Sequence, residues 1–259
     1  MPIPVLMYHE LTNGEPENAY TFSRSEFESN LQFLHDGGFE TVLTEDLIRS
    51  VEEPDFRLPG RPVMITFDDG HESDFTTALP LLLKFNFRAT FFVTTGWIGQ
   101  KKYLQPEQIV ALKNAGMSVQ SHGSTHTFLN GLSNSEIRRE IDDSRNRLSE
   151  ILGDRVTLLS FPGGRYNRRV IECARKSGLK ALLSSAPFTF RREGAVYLIG
   201  RNVMRIASRG GNGVSQIVNA GFWGRQKLKA AYFGKSMLKE MLPGNLYGSL
   251  WKRYTNRSS

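Results

Sequence analysis

Two aspartates and three histidines carry most of the chemical capacity of this 259-residue sequence. Asp68-Asp69-Gly70 follows the apolar run Val63-Met64-Ile65-Thr66-Phe67. By itself Asp-Asp-Gly is also an ordinary turn. At the end of a buried strand, however, successive side chains point to opposite sides, so the two carboxylates can do different jobs. One can bind a metal while the other faces a substrate or a water. His122 and His126, in His122-Gly123-Ser124-Thr125-His126, are four apart and can reach one ion from a helical turn or a tight loop. With Asp69 they form a His₂Asp set that leaves a position for water, as in catalytic sites for zinc and related divalent ions. Such an ion lowers the pKa of a bound water toward neutrality and polarises a carbonyl. Asp68 is then the candidate general base. Pro162-Gly163-Gly164 can offer bare backbone N–H groups to an oxyanion. His9, after Val5-Leu6-Met7-Tyr8, is either the acid for a leaving nitrogen or a structural histidine. Together these groups predict metal-assisted hydrolysis of an amide or ester.

Strands must bring these residues together, and the sequence supplies them. Apolar and β-branched runs at Val5–His9, Glu40–Leu43, Val63–Asp68, Ala89–Thr94, Ser118–Ser121, Leu158–Phe161, Ala181–Ser184 and Tyr197–Asn202 predict strands. Amphipathic segments lie between them: one on Phe27, Leu31 and Leu34 capped by Ser23 or Ser25, then 79–85, 107–115, 135–152 and 168–177. Ser133 or Asn134 can cap the fourth of these, and Gly153 can end it. Strand–helix alternation predicts parallel strands with helical crossovers. About seven or eight such units predict an α/β fold, a (β/α) barrel, whose chemistry sits at the C-terminal ends of the strands. Asp68, His122, His9 and the Pro162-Gly163-Gly164 turn all fall where an apolar strand runs out.

Composition excludes other classes. With 39% hydrophobic and 23% charged residues, the chain is neither disordered nor collagen-like. Its single cysteine, Cys173, cannot form an internal disulfide and is expected in the core. No apolar run approaches the ~20 residues that span a bilayer, and the first residues lack the pattern of a secretory signal. The expected location is therefore cytoplasmic, with room for peripheral contact at the inner face of the membrane. Residues 1–214 are expected to form the catalytic barrel and 215–259 a C-terminal extension. From Gly221 onward there are eight basic residues against one acid, which accounts for the whole formal charge of +7. Phe222, Trp223, Tyr232, Phe233, Tyr247, Trp251 and Tyr254 are interleaved with them. That composition suits an anionic membrane surface, or a helix packed on the barrel with a solvated basic side. No recognised nucleic-acid motif accompanies it, so nucleic acid is not an expected partner.

Thr66-Phe67-Asp68-Asp69-Gly70 followed by His122 and His126 resembles the polysaccharide deacetylase family, also known as the NodB-homology domain or carbohydrate esterase family 4. The likeness extends through Ala78-Leu79-Pro80-Leu81-Leu82 and Ala89-Thr90-Phe91-Phe92-Val93 and runs from about residue 3 to 205. It implies a distorted (β/α) barrel and a divalent metal, zinc for preference, with cobalt, nickel or manganese also suitable. It implies removal of N-acetyl groups from an amino-sugar glycan, polymeric or lipid-linked. It also implies Asp68 as base and Asp69, His122 and His126 as metal ligands.

The sequence departs from the common pattern in three places. Gly123 stands where Ser or Thr follows the first His, Ser160 stands where an Arg orients the base, and no His follows His126. The biofilm-type poly-N-acetylglucosamine deacetylases have a permuted motif order with the acid His on the first strand, and Leu6-Met7-Tyr8-His9 resembles that element. Arg201 or Arg165 can then orient Asp68. Gly163, Gly164, Tyr166, Trp97 and Arg201 are expected on the substrate side, although Trp97 and Tyr166 suit plain rim packing equally. N-deformylation or O-deacetylation of a lipid-linked sugar, and glycan binding without catalysis, are the competing expectations.

Overall fold

The computed structural model describes residues 3–206 and 213–241, with side chains to residue 234. The strands are β1 (Val5–Tyr8), β2 (Leu11–Thr12), β3 (Phe22–Ser23), β4 (Glu40–Thr41), β5 (Pro62–Phe67), β6 (Thr90–Val93), β7 (Ser118–Ser121), β8 (Leu158–Ser160), β9 (Ala181–Ser184), β10 (Phe190–Glu193), β11 (Val196–Gly200) and β12 (Asn202–Val203). The helices are α1 (Arg24–Asp36), α2 (Thr44–Glu52), α3 (Leu79–Lys84), α4 (Pro106–Asn114), α5 (Asn134–Leu152), α6 (Arg168–Lys176), α7 (Val214–Val218) and α8 (Phe222–Met241). This is an α/β fold with a mostly parallel sheet, and each strand and helix expected from the sequence has a counterpart. Ser23 and Ser133 cap α1 and α5, each in a reciprocal box with a glutamate three residues on, and Gly153 ends α5 at φ +62°. The sequence pattern had not marked α2 or the antiparallel β10–β11 pair.

The sheet order is β10-β11-β9-β8-β7-β6-β5-β1-β12, and β10–β11 is its one antiparallel pair among the described residues. Its two ends belong to one chain segment. β11 pairs with β9, β12 pairs with β1, and only Arg201 separates β11 from β12. The sheet therefore closes on itself through residues 196–203. Val5, Met64, Phe92, Leu158, Leu183 and Ile199 come from six different strands yet form one buried cluster, which requires a curled sheet with a filled interior. Leu47 and Ile48 of α2 join that cluster.

Side-chain parity links this interior to the chemistry. Along β5, β1, β8 and β11, the interior set followed in steps of two leads upward to Asp68, His9, Ser160 and Arg201. The opposite face of β5 is anchored by Phe67, stacked on Phe91 at 4.9 Å and packed against Tyr8 and Phe27. The strands are buried on both sides, which explains their unbroken apolar runs.

One seam is irregular. β7 and β8 are in register only at Ser121 and Leu159. Below that point the Gln120 carboxamide takes the place of a backbone partner, its Oε1 accepting from the N–H groups of Thr157 and Leu158 at 3.1 and 3.0 Å. Among the described residues no helix is long and apolar enough to cross a membrane. Cys173 is buried, as expected.

Closure depends on Gly200. A Cβ there would overlap the Ala186 carbonyl oxygen, and the Gly200 N–H donates to Thr189 O at 2.7 Å. Gly200→Ala is expected to cost about 3 kcal/mol or more through overpacking. Urea unfolding of the variant beside the parent measures this.

Candidate active site

The C-terminal strand ends converge on a cleft of about 860 Å³ lined by His9, Asp68, Asp69, His122, His126 and Arg201, among others. β5 delivers both aspartates. Asp69 sits at φ +81° and Gly70 at φ +82°, where a Cβ on Gly70 would press into Val93. The turn splits the carboxylates: Asp68 continues the inward parity of β5, and Asp69 swings toward the histidines. A non-glycine residue at such a φ stores of order 1–3 kcal/mol, a strain characteristic of functional sites. His126 shares it, at φ +62°.

Asp69 Oδ1 lies 3.4 Å from His122 Nε2 and 3.3 Å from His126 Nε2, and it is buried without a hydrogen-bond partner. Donors around a tetrahedral ion with bonds of about 2.1 Å stand roughly 3.4 Å apart. The spacing thus fits a shared cation better than it fits hydrogen bonds. His122 Nδ1–H donates to the Ser160 carbonyl at 2.9 Å, which fixes the tautomer and leaves the Nε2 lone pair facing Asp69. Among the described residues, Asp69, His122 and His126 are the only such metal-capable cluster. This donor set suits a divalent ion.

Asp68 is built for a different task. Arg201 grips it with both ends of its guanidinium, Nη1 to Oδ1 at 2.6 Å and Nη2 to Oδ2 at 2.7 Å. Ser160 Oγ donates to Oδ2 at 3.0 Å and accepts from Arg201 Nη2 at 2.7 Å. Burial works against the carboxylate's charge, but Arg201 and His122 outweigh it and hold Asp68 below the usual carboxylate range. Arg201 is fully buried, and further bonds to Thr66 Oγ1 and Ser184 O fix its orientation. Of the two arginines considered from sequence, Arg201 is the one on Asp68; Arg165 stacks on Phe128 instead. Ser160 explains the exchange. Its small side chain leaves the space that Arg201 fills from the closing strand.

The remaining expectations divide. His9 lines the cleft, with its ring tilted on Tyr20 at 5.6 Å and its Nδ1 unpartnered. Burial holds its pKa below the ordinary histidine value, while Asp69 and Asp68 pull the other way. Gly163, Gly164 and Tyr166 also line the cleft, and Tyr166 stacks on Phe161 at 4.8 Å. Gly164 differs from the expectation of a bare donor: its N–H is closed into the turn, donating to Phe161 O at 2.8 Å. Trp97 is outside the cleft lining and stacks on His126 at 5.1 Å, backing the metal ligand.

Sequence reasoning missed two contributors. Glu140 on α5 accepts from the N–H groups of Ser124 and Thr125, both at 2.9 Å, and from Thr125 Oγ1 at 2.8 Å, so it shapes the loop that carries His126. His71, next to the Asp-Asp-Gly turn, places Nε2 3.7 Å from Asp69 Oδ2 and stacks on Tyr103. The position of His71 beside the turn was a visible signal. Glu140 gave none, because its partners are fifteen and sixteen residues away.

Comparison with known proteins agrees with this geometry. Residues 57–182 match the family model described as polysaccharide deacetylase. YxkH of Bacillus subtilis, a protein named for the same family, is 31% identical over 199 residues, covering 77% of this chain and 70% of its own length. The poly-beta-1,6-N-acetyl-D-glucosamine N-deacetylase of Staphylococcus epidermidis is 28% identical over 195 residues, covering 68% of this chain and 66% of that protein. Among solved structures, the Streptococcus pyogenes deacetylase PplD in complex with acetate superposes with a TM-score of 0.67 at 27% identity, over 77% of this chain and 91% of that one. With its site residues in the motif positions and this relatedness along most of its length, the chain belongs to the polysaccharide deacetylase family, carbohydrate esterase family 4, and is a deacetylase of the hydrolase class.

Proposed function

We propose that this protein removes N-acetyl groups from an amino-sugar glycan, either a polymer of the poly-N-acetylglucosamine kind or a lipid-linked precursor, in a distorted seven-strand barrel. One observation carries the reading: a two-histidine, one-aspartate donor set stands beside a second aspartate gripped by a buried arginine. The name of the staphylococcal relative supports the glycan class.

Asp69, His122 and His126 would hold the ion, zinc for preference. When bound there, a divalent ion polarises the scissile carbonyl and lowers the pKa of water. Asp68 takes the proton of the attacking water. The bidentate Arg201 pair keeps its carboxylate ionised and aimed, so little reorganisation is needed in the transition state. His9 faces the same cleft and is assigned the acid that protonates the leaving nitrogen. Burial opposes its charged form, and the two carboxylates support it. Gly163, Tyr166 and the neighbouring lining residues receive the sugar. We place this activity at the cytoplasmic face of a membrane, where the basic, aromatic extension would meet anionic lipid.

Acetate release from free, polymeric and lipid-linked N-acetylated amino sugars, with formate release assayed in parallel, tests the reading. A chelator should abolish activity, and zinc or cobalt should restore it. Absence of acetate from every sugar in the panel would overturn it. Asp68→Asn should abolish turnover and leave bound metal nearly unchanged, whereas Asp69→Asn, His122→Ala and His126→Ala should lose both. Comparable turnover in Asp68→Asn would remove it as the base. His9→Ala should lower the rate by ~10²–10⁴-fold with metal content intact; a negligible loss would return His9 to a structural role. Arg201→Lys keeps a cation but loses the fork. Because Arg201 holds the Asp68 pKa down, the acid limb of the pH–rate profile should move to higher pH. An unmoved limb would show that Arg201 does not tune the base.

A further inference from the structure

The C-terminal helix α8 is two-sided. At about 100° per residue, Leu228 and Tyr232 share one face, and both line the catalytic cleft. Leu228 also packs on the main core, and Arg225 Nε donates to Ala220 O at 2.9 Å while its guanidinium lies over the Phe188 ring. The helix is therefore fixed to the barrel along this face. Just before it, Val214, Ile217 and Val218 of α7 are buried in the same core.

The opposite side of the helix is open to solvent at Phe222 and Trp223. Phe222 and Trp223 are 67% and 82% exposed, the most exposed large hydrophobic side chains among the described residues, whereas Phe233, 54% exposed, belongs to the cleft lining. On a helical projection Phe222 and Trp223 span roughly 100° of arc, with Lys229 beyond one edge and Lys227 beyond the other. An aromatic stripe between flanking lysines is the pattern of a helix lying in a lipid headgroup layer, rings toward the acyl boundary and ammonium groups toward anionic phosphates. A protein partner would have to cover the rings and also neutralise both lysines; an anionic bilayer does both at once. The sequence beyond residue 241 continues the composition with Tyr247, Trp251, Lys252, Arg253 and Tyr254.

We propose that α8 seats the enzyme on an anionic membrane surface by the side that carries Phe222 and Trp223, and that its other face, as a wall of the catalytic cleft, thereby fixes the cleft relative to the bilayer. The consequence for catalysis rests on the deacetylase reading above; the membrane contact does not. A glycan held at the bilayer by a lipid anchor meets a cleft already positioned for it, whereas a free oligosaccharide gains nothing from the docking.

The test uses the full chain and vesicles of phosphatidylglycerol mixed with phosphatidylcholine, in two separate measurements. Vesicle co-sedimentation without substrate should show binding that falls with added salt and is at least about tenfold weaker on pure phosphatidylcholine. The double substitution Phe222→Ser with Trp223→Ser should weaken it by about tenfold or more, and Lys227→Gln or Lys229→Gln by about fivefold each. The double variant touches no lining residue of the cleft, so its turnover of a soluble acetylated oligosaccharide should match the parent. With vesicle-embedded acetylated glycolipid as substrate, the same variant should lose about tenfold in rate. Vesicle binding unaffected by the aromatic substitutions, or concentration-dependent self-association in place of vesicle binding, would overturn the proposal. Vesicle binding as expected but no acetate from any substrate would instead count against the deacetylase reading and leave the membrane face standing.

Discussion

The pair between Asp68 and Arg201 is the constraint on which the rest of the site depends. Both partners are essentially sealed from solvent, and each carries a full charge. Removing one half of such a pair typically costs about 3–5 kcal/mol, because the other is left charged and unpaired in a low dielectric. The bidentate geometry also sets direction as well as strength. Ser160 serves this pair with its hydroxyl and His122 with its carbonyl, so one residue on β8 orients both Asp68 and His122. Alignment of the Asp68 carboxylate and orientation of the His122 ring are thus one structural problem with one solution.

Parity of the strands explains how that solution is reached from a simple pattern. The alternation that fills the interior with Val5, Met64, Leu158 and Ile199 continues one or two steps further to His9, Asp68, Ser160 and Arg201. Apolar packing fixes the register, and register fixes the polar rim. A slip of one residue on any of these strands would turn its contribution away from the cleft. The departures from ideal backbone at Asp69 and His126 lie where that regular scheme must be broken to gather three donors around one point.

Much of this was legible in the sequence, for a physical reason. The strands and the main helices follow from local periodicity, the pair of His122 and His126 from short spacing, and Asp69 joins them through its place at a strand end and the family resemblance. What was not legible depends on contacts across long sequence separations. Ser160 stands where an orienting arginine is expected, and the sequence left Arg201 and Arg165 as equal candidates to take its place; only the contact across 133 residues decides for Arg201. Glu140 gave no sign that it would gather the N–H groups of a distant loop. Gly164 looked like a free donor until the turn around it was seen to use its N–H. α2 was missed although Leu47, Ile48 and Val51 fall at helical spacing, because the segment is only nine residues long. Tail positions past residue 241 fall outside the described residues, and their part in the expected extension is not addressed by the fold.

Closure through residues 196–203 bears on the order in which the protein matures. The closing strand joins β1 across almost the whole chain; Asn202 Nδ2 donates to Val5 O, 197 positions away. Pairings of that separation carry the largest loop-closure entropy and form late. Asp69, His122 and His126 come from the ends of β5 and β7 and the loop after β7, whose strands are neighbours through β6 and need no closure to approach one another. Arg201 arrives only with the final strand. A nascent chain can therefore gather Asp69, His122 and His126 before Arg201 reaches Asp68, which separates the two halves of the site in time.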